Sequence, residues 1–295
     1  MTTDLDDAAA TFGEVRPRLF GIAYRMLGSV HEAEDLIQDV WLKWQAYDRS
    51  TVKQPAAFLA TMTTRLAINA THSARARRET YIGPWLPEPV DTSADPALGA
   101  ERGEALELAV LLLLEKLSPT QRAAYVLREA FGYPYDEIAE IVQLSEANVR
   151  QLVSRSRKRL ADERREPVEP AEQRRLLTAF LAAAQQGDLA SLEQLLAADV
   201  ASYSDGGGVA RASRIPVLGR TQVSKYVASF ASRFWVGTTL TWVEANGRSA
   251  VLIARDGVAF ALVTVSASAE GIDQIQWAMN PAKLTAVTPP GAPLS

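Results

Sequence analysis

The stretch Asn148–Leu160 carries five basic residues, Arg150, Arg155, Arg157, Lys158 and Arg159, and no acid. Asparagine and glutamine can each bind adenine through two hydrogen bonds, and arginine can bind guanine the same way. Glu146, Asn148, Arg150 and Gln151 are therefore candidates to approach base edges. Arg155, Arg157 and Lys158, with Ser154 beside them, suit phosphate, which gives affinity without sequence information. A second set, Arg65, Asn69, His72 and Arg75, falls at helical spacing on one face. With hydroxyls from Thr61 and Thr64, this set could hold the phosphates of a melting duplex and meet unstacked bases. A third set has the opposite sign. Glu34, Asp35, Gln38 and Asp39 form a polar stripe suited either to a basic protein surface or to solvent.

The bulk numbers exclude several classes. The chain has 295 residues, a net charge of −4 and no cysteine. Neither disulfides nor thiolate metal sites can form, which fits a reducing cytoplasm. Two histidines give no metal-ligand spacing, so neither metal nor cofactor is expected. Residues 1–11 are acidic and lack the apolar segment of a signal peptide. The longest apolar run, Ala109–Leu114, is far too short to cross a membrane, so no membrane partner is expected. The acidic total hides local basic patches near 65–78 and 150–159, and local patches set the field a phosphate backbone meets.

These sets need helices to position them. Arg16–Leu27 has an apolar stripe and Gly28 as a stop; Ser29 can cap a helix over His31–Trp44. A third helix starts at Pro55 and runs to about Arg78, with Phe58, Leu59, Met62 and Leu66 facing inward. Residues 80–104 are proline-rich and read as an extended linker. Residues 105–165 are helical again, and 171–186 and 189–198 form a further helix pair. The period then changes. Val200–Ser204 and Val209–Ile215 read as strands joined by Asp-Gly-Gly-Gly, followed by a helix at 220–234. Thr238–Ala245, Arg248–Arg255, Val258–Ser266 and Ile272–Met279 form a meander with Asn246-Gly247 and Asp256-Gly257 turns. The expected organisation is multidomain: all-α domains at 1–79 and 105–165 flanking the linker, an α+β domain at 170–287, and a tail at 288–295.

Within Tyr135–Ser154, Ile138, Ala139, Val142, Leu144, Val149 and Leu152 occupy the packing positions of a helix-turn-helix. Ser145 is placed to cap its second helix. Gln143 stands where glycine is usual, in a left-handed backbone. Three longer blocks then resemble the extracytoplasmic-function sigma factors of RNA polymerase. Ala33–Trp44 (AEDLIQDVWLKW) resembles the region-two helix that docks on the β′ clamp. Gln54–Glu79 resembles the helix that opens and reads the −10 element, and Ser118–Leu160 resembles region four, which reads the −35 element. The resemblance implies promoter-specific initiation with core RNA polymerase (β′ clamp and β subunits) and promoter DNA as partners. It implies polymerase contacts at Glu34, Asp35, Gln38 and Asp39, and no enzymatic activity.

Three short signatures narrow the subgroup. WLPEP (Trp85, Leu86, Pro87, Glu88, Pro89), DGGG (Asp205, Gly206, Gly207, Gly208) and NPAKL (Asn280, Pro281, Lys283 and Leu284 among them) resemble those of sigma factors with a fused SnoaL-like domain. The resemblance implies a cone-shaped α+β fold that tunes activity in cis. The family pattern continues DGGG with a lysine where this chain has Val209. The stretch does not read as a phosphate loop, since such loops open a helix and carry a lysine. It reads as a hairpin turn, or as a turn that also lets the linker near Trp85–Pro89 approach closely. A small-molecule ligand is a candidate partner, in a pocket drawn from Tyr203, Asp205, Arg211, Trp235, Trp242 and Trp277. Asp205 with Arg211 is either an acid–base pair or a structural ion pair. The competing function is a one-component helix-turn-helix regulator with a ligand-binding or enzymatic SnoaL-like domain; residues 31–79 are the discriminator, since such a regulator does not need them.

Overall fold

Helix boundaries follow local chemistry. In the computed structural model, which describes residues 2–93, 107–163 and 165–287, α1 (Thr2–Leu27) ends where Gly28 turns to φ 66°. The Gly28 amide donates to Tyr24 O at 2.7 Å. Ser29 caps α2 (Val30–Ala46) by accepting from the Glu32 amide at 3.2 Å. Pro55 opens α3 (Pro55–Glu79). Linker residues 94–104 and the tail 288–295 lie outside the described residues.

The chain divides into two compact units: Met1–Glu79 with Asp95–Glu163, and Thr80–Ala94 with Arg164–Ser295. In the first, α3 buries a different face from the one its large apolar residues suggest. Leu59 is inward as expected, but the rest of the buried face is Ala60, Thr63, Thr64, Ala67, Thr71 and Ala74, whereas Phe58, Met62 and Leu66 are only partly covered. Small side chains let helices pack closely, and buried threonine hydroxyls can be satisfied within the helix. Thr64 donates to Ala60 O at 2.8 Å and Thr71 to Ala67 O at 2.7 Å.

The second helical block comprises α4 (Leu108–Leu114), α5 (Pro119–Glu129), α6 (Tyr135–Val142) and α7 (Glu146–Glu163). Ser118 and Gln121 form a reciprocal capping box at the start of α5. Between α6 and α7, Gln143 is left-handed, at φ 58° and ψ 48°. Ser145 accepts from the Asn148 amide at 3.3 Å, capping α7. Ile138, Ala139 and Val149 are buried, joined by Ile141 and Val153, which the motif did not single out. Leu144 departs from its expected core role and is 37% exposed.

The second unit is α+β. Helices α8 (Pro170–Gln186), α9 (Leu189–Leu195), α10 (Arg220–Ala228) and α11 (Ala231–Phe234) accompany strands β1 (Leu196–Asp205), β2 (Val217–Leu218), β3 (Thr238–Ala245), β4 (Arg248–Arg255), β5 (Val258–Ser268) and β6 (Gly271–Ala278). The sheet order is β2-β1-β6-β5-β4-β3, with β1 and β6 parallel and the other neighbours antiparallel. Asn246-Gly247 and Asp256-Gly257 all have positive φ, as type I′ turns require. Alternation divides the sheet. Val251, Ile253, Val263, Ile275 and Trp277 pack with Leu177, Phe180 and Val223 of the helices; Ala250, Leu252, Leu262 and Ala278 pack with Leu284 and Val287 on the other face.

Three expected elements are redrawn. The helix from 189 stops at Leu195 and β1 begins at once. Val209–Ile215 is not a strand: Gly206 O accepts from the amides of Val209 and Ala210, Gly207 and Gly208 have positive φ, and the chain rejoins the sheet only at Val217. The helix at 220–234 is broken after Ala228.

Replacing left-handed Gln143 with glycine relieves backbone strain but adds unfolded-state freedom. The balance is expected to stabilise the helical unit by about 0.5–1 kcal/mol, measured as a raised urea midpoint for the loss of helical circular dichroism.

Candidate nucleic-acid interface and linker clamp

Helix α7 presents Glu146, Asn148, Arg150, Gln151, Ser154, Arg155, Arg157 and Lys158 on its exposed side. Two of them already have partners. Arg150 pairs with Glu146 and lies 4.4 Å from the centre of the Tyr135 ring; Arg157 pairs with Glu129 at 2.6 Å. That bond, before any other effect, holds the Arg157 guanidinium above the ordinary arginine pKa. Among the described residues, the side chains of Asn148, Gln151, Ser154, Arg155 and Lys158 make no hydrogen bond or ion pair.

The set on α3 is divided. Asn69 and His72 are exposed. Thr61 donates back to Ala57 O at 2.8 Å, and Thr64 is buried, so Thr64 cannot serve as a surface hydroxyl. Arg65 donates from Nε to Ile141 O at 3.0 Å and from Nη2 to Glu140 O at 2.9 Å. Those carbonyls belong to the last turn of α6, where helix carbonyls lack partners and attract a cation. Arg75 donates to Glu115 O at 2.7 Å and also to Leu117 O. Both arginines thus hold the second helical block in this conformation.

Glu115 is the ionic centre of that contact. Its carboxylate accepts from Arg78 and from Arg122, which is 1% exposed and also donates to Arg25 O at 2.8 Å. Burial opposes ionisation of Glu115, but Arg122 and Arg78 together outweigh it and hold the carboxyl below the usual glutamate range. On α2, Asp35, Gln38 and Asp39 are exposed, Glu34 pairs with Arg16, and His31 lies 3.6 Å from Asp35.

In the second unit the three short signatures meet. Asp205 is 0% exposed and pairs at 2.8 Å with Lys283, itself 6% exposed. The carboxylate also accepts from Tyr81 Oη at 2.5 Å, from the Leu86 amide at 2.8 Å and from the Gly207 amide at 3.2 Å. Lys283 donates to Leu86 O and lies 4.3 Å from the Trp85 ring centre and 5.1 Å from that of Tyr81. Asn280 Nδ2 donates to Tyr81 Oη at 2.9 Å. Burial, then the adjoining carboxylate, raises the Tyr81 phenol well above its ordinary pKa, so it stays a donor. A Cβ on Gly207 would sit 2.4 Å from Asn280 Nδ2, and one on Gly208 would sit 2.8 Å from Ile82. Leu86, Pro87, Pro89 and Leu284 are buried, while Glu88 and Pro281 are partly covered.

The Asp205–Arg211 pair considered from sequence is not formed. Alternation along β1 sends Asp205 to the linker side and Ser204 to the opposite face. Arg211, Trp235 and Trp277 line a cleft there; Tyr203, Asp205 and Trp242 do not, and Trp242 stacks under Arg174 at 4.3 Å. Val209, in the family's lysine position, is 79% exposed. Sequence reasoning missed Tyr81 and the second anchor of the linker. There Val90 and Asn246 exchange two bonds of 2.9 Å, and Thr92 donates to Glu244 at 2.7 Å. Asn246-Gly247 had signalled only a turn.

Comparison with known proteins decides the family. Residues 11–78 match Sigma-70 region 2 and residues 107–160 match Sigma-70, region 4. The chain is 36% identical over 233 residues, 77% of this chain and 74% of the relative, to the ECF RNA polymerase sigma factor SigJ of Mycobacterium tuberculosis. The chain belongs to the extracytoplasmic-function sigma factors of the sigma-70 family. The Probable ECF RNA polymerase sigma factor SigI of M. tuberculosis is 29% identical over 95% of both chains. The crystal structure of M. tuberculosis SigJ superposes with a TM-score of 0.76 and 30% identity, covering 94% of this chain and 98% of that one. This sigma factor therefore combines helical region-two and region-four elements with a sheet-containing C-terminal unit. It acts in transcription initiation, and sigma factors bind core RNA polymerase and promoter DNA. No described helix is long and apolar enough to cross a membrane.

Two outcomes are expected. Asp205→Ala leaves the buried Lys283 ammonium without its carboxylate, costing about 3–5 kcal/mol; it exposes 80–93 to limited proteolysis, and Lys283→Met in the same chain restores part of the loss. Because the folded Glu115 pKa is lowered, its stabilising effect is complete above the ordinary value of 4.5 and is lost as pH falls through the depressed value. Glu115→Gln should be less stable at neutral pH and flatter across that acid limb, read by circular dichroism.

Proposed function

We propose that this sigma factor docks on the polymerase β′ clamp through α2, reads the −10 element with α3 and the −35 element with α7, and is regulated in cis by its second unit. The observation that carries the regulatory reading is the Asp205 carboxylate, which binds Tyr81, the Leu86 amide and Lys283 at once. It ties the segment that directly follows α3 into the C-terminal unit. The free polar side chains of α7 support the −35 assignment, and exposed Asp35, Gln38 and Asp39 support the clamp assignment.

The role is not enzymatic. Asp205, the acid a catalytic reading would use, is held by Lys283 and faces away from the cleft. A small molecule in that cleft is the candidate effector. A polymerase subunit works where the nucleoid is, so the location is cytoplasmic. The one-component regulator is disfavoured by the region-two match over 11–78, which such a protein has no use for.

Run-off transcription with purified core polymerase provides the test. The full chain should direct initiation at a defined promoter, and removing 164–295 should change its output. Tyr81→Phe should change output in the same direction without lowering helical-unit stability. Asp39→Arg should weaken core binding while promoter contacts persist; Arg155→Ala should lower the salt slope of promoter binding by about one. Absence of specific initiation would overturn the assignment, and equal core affinity for Asp39→Arg would reject α2 as the docking helix.

A further inference from the structure

The cleft on the helix side of the sheet has a composition that the linker clamp does not explain. It encloses about 450 Å³ of space, part of it open to solvent. Tyr226, Phe230, Phe234, Trp235 and Trp277 supply its walls. Their rings pack mainly edge to face: Tyr226 with Phe230 at 4.8 Å, Phe234 with Trp235 at 4.9 Å and Phe234 with Trp277 at 5.8 Å. Such an apolar, ring-lined surface suits a planar aromatic body.

The polar groups are few and of one kind. Arg211 is the one charged residue among the described lining residues. It is exposed and makes no ion pair or hydrogen bond there, whereas Arg165, Arg220 and Arg255 of the same unit are each engaged. Ser204 adds a hydroxyl that takes no partner in the protein. A guanidinium beside an apolar cleft, with no acid to neutralise it, favours a carboxylate, which it can grip with two parallel bonds.

We infer that this cleft binds a planar aromatic carboxylate, with Arg211 meeting the carboxylate and Trp235 and Trp277 flanking the ring system, and that occupancy acts on the linker clamp. The coupling part rests on the cis-regulatory reading above. Both walls pass to the clamp within a few residues. Ser204 faces the cleft and the adjacent Asp205 holds Tyr81 and Leu86. Met279 lines the cleft, its amide donates to Asp205 O at 2.8 Å, and the adjacent Asn280 donates to Tyr81. Arg211 and Ala212 belong to the loop whose Gly206 backbone leaves no room for a Cβ, with Ala210 O at 2.5 Å and Ala212 Cβ at 2.9 Å.

The full chain is titrated with benzoate, 1-naphthoate and anthracene-9-carboxylate, and with the matching neutral alcohols, by calorimetry and tryptophan fluorescence. At least one acid should bind roughly tenfold more tightly than its alcohol, the margin of a charge-assisted bond. Arg211→Gln, at an exposed position, should erase that preference, and Trp235→Ala should weaken acid and alcohol alike. Binding by none of the three acids, equal affinity for acid and alcohol, or a preference that survives Arg211→Gln would overturn the site. Concentration-dependent quenching without ligand would overturn it in favour of a second copy of the chain. Saturation with the best acid should change amide exchange at Leu86 and Val90; Arg211-dependent binding with unchanged exchange overturns the coupling alone. The transcription assay separates the two readings, since a change on removing 164–295 supports cis-regulation whether or not any acid binds.

Discussion

A carboxylate with no access to water organises the C-terminal unit. A buried carboxylate is costly unless it is paired and hydrogen-bonded, and the partners of Asp205 come from three separated stretches: Lys283 near the C-terminal end, Tyr81 and Leu86 in the linker, and Gly207 beside it. Removing a partner from such a group is far more damaging than the net value of the pair suggests. The described part of the linker, residues 80–93, therefore belongs to that folded unit. The glycines have the same origin, because side chains at 207 and 208 would occupy the space taken by Asn280 and Ile82.

The helical unit is held by a related device with the sign reversed. Arg65, Arg75 and Arg122 donate to backbone carbonyls across the packed helices, and Glu115 neutralises Arg78 and Arg122. Two residues proposed for the −10 element thus serve an internal contact in this conformation, while most of the proposed −35 residues on α7 are without partners. Engaging both elements with all of these side chains requires Arg65 and Arg75 to exchange carbonyls of the protein for DNA. On the proposed −10 assignment, internal packing and promoter contact compete for the same guanidinium groups.

Much of this was legible in the chain itself. Gly28, Ser29, Pro55 and Ser145 set helix ends through interactions within a few residues, and Asn246-Gly247 and Asp256-Gly257 set hairpins the same way. Gln143 was legible as a left-handed residue because the helix-turn-helix spacing leaves no other geometry. The buried face of α3 was not legible, since alanine and threonine carry little hydrophobic signal and are chosen for closeness of packing. Leu144 misled for the converse reason: its spacing placed it in the core, but the turn leaves it at the surface.

By itself, then, the sequence determined the order of helical and β elements, their turns, the family they belong to and the identity of the polar residues involved. Tertiary structure alone decided the partners. Asp205 and Arg211 are close in sequence, yet strand alternation puts Asp205 on the linker face and the loop leaves Arg211 at the cleft, so the acid pairs with Lys283 instead. Tyr81 joins a carboxylate 124 residues away, and Arg65 reaches carbonyls 75 and 76 residues away. Local chemistry sets backbone conformation over a few residues; the direction in which a side chain leaves a sheet or helix, and what it meets there, depends on how distant elements pack.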